Sequence, residues 1–305
     1  MVMAVDNSTG TGAQILVPAR SRGELWNSTG AVVAMRVVVI AACVGLWQLA
    51  SGRLVPDYAI SNPGEVSKAL WRVLSSAQGW TDIQTTASEV VTGFAIGVGL
   101  GLAVGLVLGS LTLAGRVLEP LIAAVNGIPK IALAPLFLLF FGIGQWSKIW
   151  IAATGVAFVV FYNVYLGLRL RERELVEIVQ VMGGKRRHVL SYVTLPSLAA
   201  PFVAALKTSG PFAILGVIGG EFVASVNGVG HELFTASTNL DAPDEFAYLI
   251  VLVAMTLVLN GVLSLLDGYA QKRLGLAARR VPRRASAKRA TRSDTQTARS
   301  RADHA

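Results

Sequence analysis

Five carboxylates crowd the stretch from 221 to 245, namely Glu221, Glu232, Asp241, Asp244 and Glu245, and neighbouring carboxylates are a common source of acid–base chemistry. Catalysis needs more than acids. None of the five has a companion nucleophile, a metal-ligand spacing or a glycine loop beside it, and an acidic loop also arises from charge balance alone. Gly183-Gly184-Lys185 is the nearest approach to a phosphate cradle. It lacks the first glycine of G-x-x-x-x-G-K-[ST] and the closing Ser or Thr, and that pattern occurs nowhere else in the chain. His188 has no second ligand nearby with which to hold a metal. Cys43 is the single cysteine and falls in an apolar stretch, so it reads as a small buried hydrophobe. No catalytic, metal or cofactor site is expected, and the chain is not read as an enzyme.

The residues that do ask for an explanation are cations. Lys130 falls about 12 residues into one long apolar stretch and Lys207 about 14 into another, near mid-membrane at about 1.5 Å per residue if these stretches are spanning helices. An unpaired ammonium is costly there and such residues usually face a bundle interior or a wet cavity. One or both are expected to line a path that favours an anionic solute, together with the polar groups Asn126, Tyr162 and Asn163. The alternatives are snorkelling through helix ends broken by proline, or pairing with an acid such as Glu89.

The elements that would position these groups are membrane helices. Of 305 residues, 53% are hydrophobic and 15% charged, well below the charged content of about 25% in an average soluble domain. Mean hydropathy is +0.57. The expected fold is all-α and polytopic, with six transmembrane helices at about 32–51, 87–110, 118–142, 148–168, 193–220 and 246–267. With both termini cytosolic, the inside segments 1–31, 111–117, 169–192 and 268–305 carry 2, 1, 6 and 11 basic residues, against 3, 0 and 0 in the outside segments 52–86, 143–147 and 221–245. That asymmetry supports the orientation and a multi-pass location in the cell (inner or plasma) membrane.

Residues 1–31 are polar, lack the layout of a secretory signal and read as a flexible cytosolic lead-in. Residues 32–270 form the transmembrane domain, with a core over 80–270. Residues 271–305 are dense in Arg and Lys without an apolar period, so they read as a disordered cytosolic tail drawn to anionic lipid rather than to nucleic acid.

Two patterns within this frame are structural and mechanical. Gly93, Gly97, Gly101, Gly105 and Gly109 recur every four residues, which leaves a smooth strip for close helix packing in lipid. Glu174 to Gly184 is a charged segment between two spans, able to form a short helix with Leu175, Ile178, Val179 and Met182 on one face and a stop at Gly183 in a positive-φ cap. A short cytosolic helix with an apolar face is built to dock.

Glu177-Ile178-Val179, three residues, Gly183, nine residues, Val193-Thr194-Leu195-Pro196 resembles the E-A-A, x3, G, x9, I-x-L-P coupling loop of membrane subunits of binding-protein-dependent ABC importers. Ile128-Pro129 to Pro135-Leu136 followed by Phe141-Gly142-Ile143-Gly144, with Ser61-Asn62-Pro63-Gly64-Glu65-Val66 upstream, is similar to the nitrate, sulfonate and taurine permeases of that class. Ala205-Leu206-Lys207, Ala213, Glu221 and Gly228-Val229-Gly230 continue the likeness, which covers about residues 60 to 270.

The resemblance implies a type I ABC importer permease fold. It also implies two cytosolic ABC ATPase subunits that bind ATP on the chain's behalf, a second copy of the chain, and an extracytoplasmic solute-binding protein. Within the loop it assigns coupling to Glu174, Glu177, Ile178, Val179, Met182, Gly183, Gly184, Leu195 and Pro196 within the region 169–192 and just beyond. There are departures. Ile178-Val179 replace two alanines, Glu89 stands where arginine is expected, and His231-Glu232 follow the glycines. A secondary transporter or channel for a small anion would also explain the spans and lysines, but it leaves the docking loop and the missing internal repeat unexplained.

Overall fold

Small residues at four-residue spacing in an apolar helix remove side chains from one stripe, and in lipid the packing so permitted is a principal force between helices. The computed structural model describes residues 29–52, 56, 60–111, 117, 120, 124, 127–170 and 173–273. Its helices are α1 (Thr29–Ala50), α2 (Pro63–Ser75), α3 (Ala77–Ser110), α4 (Ala134–Phe141, after a 3-10 turn Lys130–Leu133), α5 (Gln145–Arg169), α6 (Arg173–Val181) and α7 (Arg186–Val189). A π turn at Leu190–Thr194 leads into α8 (Leu195–Ala224), followed by α9 (Val229–Thr238) and α10 (Ala242–Arg273). The fold is all-α, with no strand among the described residues.

Among the described residues, five helical stretches are long and apolar enough to cross a membrane, Val32–Ala50, Ala77–Ser110, Gln145–Arg169, Arg186–Val223 and Ala242–Ala270. The sequence predicted six. Most of the first half of the third, expected over 118–142, lies outside the described residues. Its second half is the short apolar helix Lys130–Phe141. Pro129 and Pro135 break the hydrogen-bond ladder there, and Gly142 at φ +73° ends it.

The chain divides into two units, Met1–Ser76 with Leu233–Leu249 and Ala77–Glu232 with Ile250–Ala305. In the first, the Asn62 side chain caps α2 by accepting from the Glu65 N–H at 2.9 Å, with Pro63 opening the helix. Val66, Ala69 and Val73 form its buried face. Arg72 pairs with Asp244 at 3.3 Å, and the Trp47 and Phe246 rings lie 5.4 Å apart.

The second unit is built around α5. A Cβ on Gly93 would meet Ala152, on Gly97 Val156, on Gly101 Val160, on Gly105 Val164 and on Gly109 Leu168, all within 3.0 Å. Four residues along α3 match four along α5, so the two helices run parallel in constant register. Two adjacent parallel spans require the chain between them to return to the side from which α3 started. That return is the task assigned to the predicted third span.

On another face of α5 the order reverses. Gly167 meets Pro201, Gly155 meets Phe212, Gly216 meets Ala152 and Gly220 meets Lys148, so α8 runs antiparallel to α5. Lys207 of α8 pairs with Asp267 of α10 and Gly210 meets Leu263, which sets α10 antiparallel to α8. Val156, Val160, Val164, Leu198, Ala213 and Val217 fill the core between these seams.

Gly101→Leu places a branched side chain where even a Cβ would approach the Ala157 carbonyl to 2.5 Å. It is expected to cost about 1–3 kcal/mol or more through overpacking, read as a lower thermal midpoint and a poor yield of purified protein. Gly99 has nothing within 4 Å, so Gly99→Leu should leave both unchanged.

Candidate functional site

The glycine stripe on α3 continues upstream as polar side chains. Asp82, Thr86 and Glu89 precede Gly93 on the same face, and all three are buried. They meet Lys148 at the start of α5, Glu221 near the end of α8 and the turn 225–230. The Lys148 ammonium lies 2.5 Å from Glu89 Oε1 and donates to Ser225 Oγ at 3.1 Å. Its stem crosses Gly220, where a Cβ would come within 2.8 Å of Lys148 Cγ. Lys148 is 4% exposed, Glu89 and Glu221 1% each.

Three successive backbone N–H groups at the start of α9 are collected by this cluster. Gly228 donates to Asp82 Oδ1 at 2.9 Å, Val229 to Thr86 Oγ1 at 2.9 Å and Gly230 to Glu221 Oε2 at 2.7 Å. Thr86 in turn donates to Glu221 Oε1 at 2.7 Å. The orphan donors of a helix N-terminus are thus capped by side chains from two other helices, and the helix dipole favours their negative charge. Gly228, at φ +115°, has the Glu221 carboxylate where a Cβ would stand, and a Cβ on Gly230 would meet the same carboxylate at 2.5 Å. Among the described residues no group of acids, His or Cys is arranged to hold a metal.

The other end of α5 leads into the segment of interest for docking. At about 1.5 Å per residue the stretch of α5 from Lys148 to Arg169 places that end about 32 Å from the cluster. In α6 the side chains of Glu174, Leu175, Glu177 and Ile178 are exposed. Val181 and Met182 beyond them are 89% and 81% exposed.

Gly183 adopts φ +78°. Its N–H reaches the Gln180 carbonyl at 2.9 Å while the Gly184 N–H reaches Val179 at 2.8 Å, the paired bonds of a Schellman stop. A Cβ on Gly184 would strike Val179 at 2.5 Å, so the second glycine is required as well, and Val179 is partly covered beneath it. His188 serves as a cap, accepting the Lys185 N–H at 3.0 Å.

Pro196 is the second residue of α8, in the first turn where a missing N–H does no harm, and the helical run is continuous from Arg186 to Val223. The π turn just before it, with the Leu195 N–H reaching back to Leu190, is what accommodates a proline within that run.

Of the expected path residues, Lys207 is paired with Asp267, an acid other than Glu89. The Asn163 amide donates to the Val159 carbonyl of its own helix at 2.8 Å. Lys130 lies 5.1 Å over the Phe158 ring, and Tyr162, one turn along α5, is 39% exposed. Asn126 lies outside the described residues. The sequence assigns Lys148 no role, because as the first residue of the span expected over 148–168 it reads as a boundary charge. The signal was available in the spacing of Asp82, Thr86 and Glu89 along the glycine stripe.

Residues 93–276 match the family model for the binding-protein-dependent transport system inner membrane component. The chain is 30% identical to the riboflavin transport system permease protein RibX of Chloroflexus aurantiacus, over 79% of this chain and 89% of the relative. It is 28% identical to the formylaminopyrimidine transport permease protein ThiX of Halalkalibacterium halodurans, over 68% and 82%. To the putative aliphatic sulfonates transport permease protein SsuC of Bacillus subtilis it is 26% identical, over 74% and 83%. In structure it is similar to the MetNI methionine ABC transporter in an inward-facing form, at a TM-score of 0.55 and 18% identity, over 62% of this chain and 94% of that one.

Replacing Gly228 by Ala combines a strained φ with a clash against Glu221 and is expected to cost more than the about 1–3 kcal/mol of backbone strain alone. Gly142→Ala, at φ +73° with nothing within 4 Å, should cost only the strain. Thermal midpoints of the two purified variants make the comparison.

Proposed function

This chain belongs to the inner-membrane component family of binding-protein-dependent transport systems, and we propose that it forms the solute path of an ATP-driven importer together with a second copy of itself. Two ATPase subunits on the cytosolic side bind and hydrolyse ATP, each gripping the segment Glu174 to Gly184 of one copy. An extracytoplasmic binding protein delivers the solute on the opposite side. The chain itself binds no nucleotide and transmits force.

The observation that carries this reading is the exposed apolar rim of α6, Leu175, Ile178, Val181 and Met182, held at a sharp glycine stop on the end of the core farthest from the capped turn. Large apolar side chains presented on a charged segment between spans need a protein partner. Placing that end in the cytosol follows the basic residues of 169–192, and it puts both termini inside.

For the solute we propose an organic anion, the sulfonate class being the simplest. Two relatives are named for sulfonates, and others for a formylaminopyrimidine and for riboflavin. Lys130, partly buried over Phe158, supplies a cation beside an aromatic face, which suits an anion carrying a flat apolar part. The basic tail beyond 273 is assigned to anionic lipid.

Glu177→Lys reverses the exposed charge on the docking helix and leaves the Schellman stop intact. It should abolish solute-dependent ATP hydrolysis in the reconstituted complex while membrane insertion stays normal. Wild-type transport by this variant would remove α6 from the coupling role. Lys130→Met should lower the transport rate of a sulfonate several-fold and leave its affinity for the binding protein unchanged. Equal rates for wild type and variant would take Lys130 out of the path.

A further inference from the structure

The cluster that caps α9 is unbalanced in charge. Asp82, Glu89 and Glu221 contribute three carboxylates, Lys148 one ammonium, and all four are buried. Asp82 and Glu221 are each satisfied by N–H or O–H donors. Among the described residues Glu89 has only the Lys148 ion pair, and its Oε2 is buried with no hydrogen-bond partner there. Like charges in a low-dielectric site repel, and an uncompensated buried carboxylate recovers hydration when the site opens. Packed helix ends with two discrete arrangements are what gating requires, and a cluster sealed by one cation against such repulsion is suited to supply them.

We propose that this cluster is the latch at the mouth of the transport core opposite the docking segment, and that Lys148 is the positioning residue whose charge keeps it shut. The proposal rests on the importer reading given above. Lys148 joins α5 to α3 through Glu89 and to the turn through Ser225, so its ammonium ties together three elements that must separate for the mouth to open. Glu89 is the opposing member, because its carboxylate both holds the lysine and repels Glu221. Removing the cation therefore loosens the latch, and removing the Glu89 charge tightens it by leaving Lys148 to Glu221. A merely structural knot would respond to both changes in the same direction.

The test uses the complex with its ATPase subunits in proteoliposomes, comparing wild type, Lys148→Met, Glu89→Gln and the double variant. The first readout is ATP hydrolysis without binding protein. The second is labelling by a membrane-impermeant maleimide of Val90→Cys in a Cys43→Ala background, Val90 being buried next to Glu89. Lys148→Met should raise both by about tenfold, the ratio that corresponds to about 1.4 kcal/mol. Glu89→Gln should lower both below wild type, and the double variant should return towards it.

Shifts in the same direction for the two single variants, or no shift in either, overturn the latch. If Lys148→Met fails to fold, Glu89→Gln alone decides, since raised labelling in that variant contradicts the proposal. Absence of ATP hydrolysis in every complex, wild type included, would count against the importer reading, and the labelling arm would still test the latch.

Discussion

Everything in the membrane core depends on how closely α3 and α8 approach α5. Lipid supplies no hydrophobic drive to bring apolar helices together, so contact area and fit have to do it. Ala152 shows how tight that fit is. Cβ atoms built on Gly93 of α3 and Gly216 of α8 would both collide with it, at 2.8 Å and 2.5 Å. The central helix is thus held between two seams of small residues, one parallel and one antiparallel, and neither seam has room to slide by a fraction of a turn. Side chains of Val156, Val160 and Val164, with little rotamer freedom to lose in a helix, fill the space between at low entropic cost.

That tightness makes the two ends of α5 mechanically related. A helix gripped along its length moves as a rod, so displacement at Arg169 is carried to Lys148 rather than absorbed between them. The polar groups respect the same division. In the middle of the core the buried cluster is Val, Ala, Leu and Ile, whereas the Lys148–Glu89 pair and the capped turn gather at the end where α3 and α5 begin and α8 stops. A buried carboxylate near a helix terminus finds N–H donors that a mid-helix carboxylate does not, which is why Asp82 and Glu221 can be buried there and satisfied.

The legible part of the fold was periodic. Glycines every four residues announced a packing stripe, apolar runs announced spans, and Gly183 announced a helix stop, because each pattern is local. The illegible parts were pairings. Nothing in the sequence says that Lys207 pairs with Asp267 rather than with Glu89, since both acids lie on apolar helices and only the antiparallel register of α8 and α10 brings one of them near. Lys148 was misread for the same reason. Three residues into a span it looks like a boundary charge, and it is buried only because α8 brings Gly220, Glu221 and Ser225 over it. Within the described part of the predicted third span, Pro129 precedes the 3-10 turn and Pro135 opens the short helix.

The placement of Pro196 brings these constraints together at the docking end. A proline ten residues into a continuous helical run from Arg186 removes one hydrogen bond and would ordinarily kink the run. Here the π turn inserts one residue's worth of slack directly ahead of it, so α7 and α8 stay joined as one helical path. The Schellman stop at Gly183-Gly184 sets the angle at which α6 meets that path, and the π turn sets its rotation about the α8 axis. Since α8 is locked to α5 by glycine contacts from Gly167 to Gly220, a push on α6 cannot be spent in bending the joint alone. On the coupling role proposed for α6, it reaches the helices that carry Lys148 and Glu221, and the short loop acts on the far end of the core without touching it.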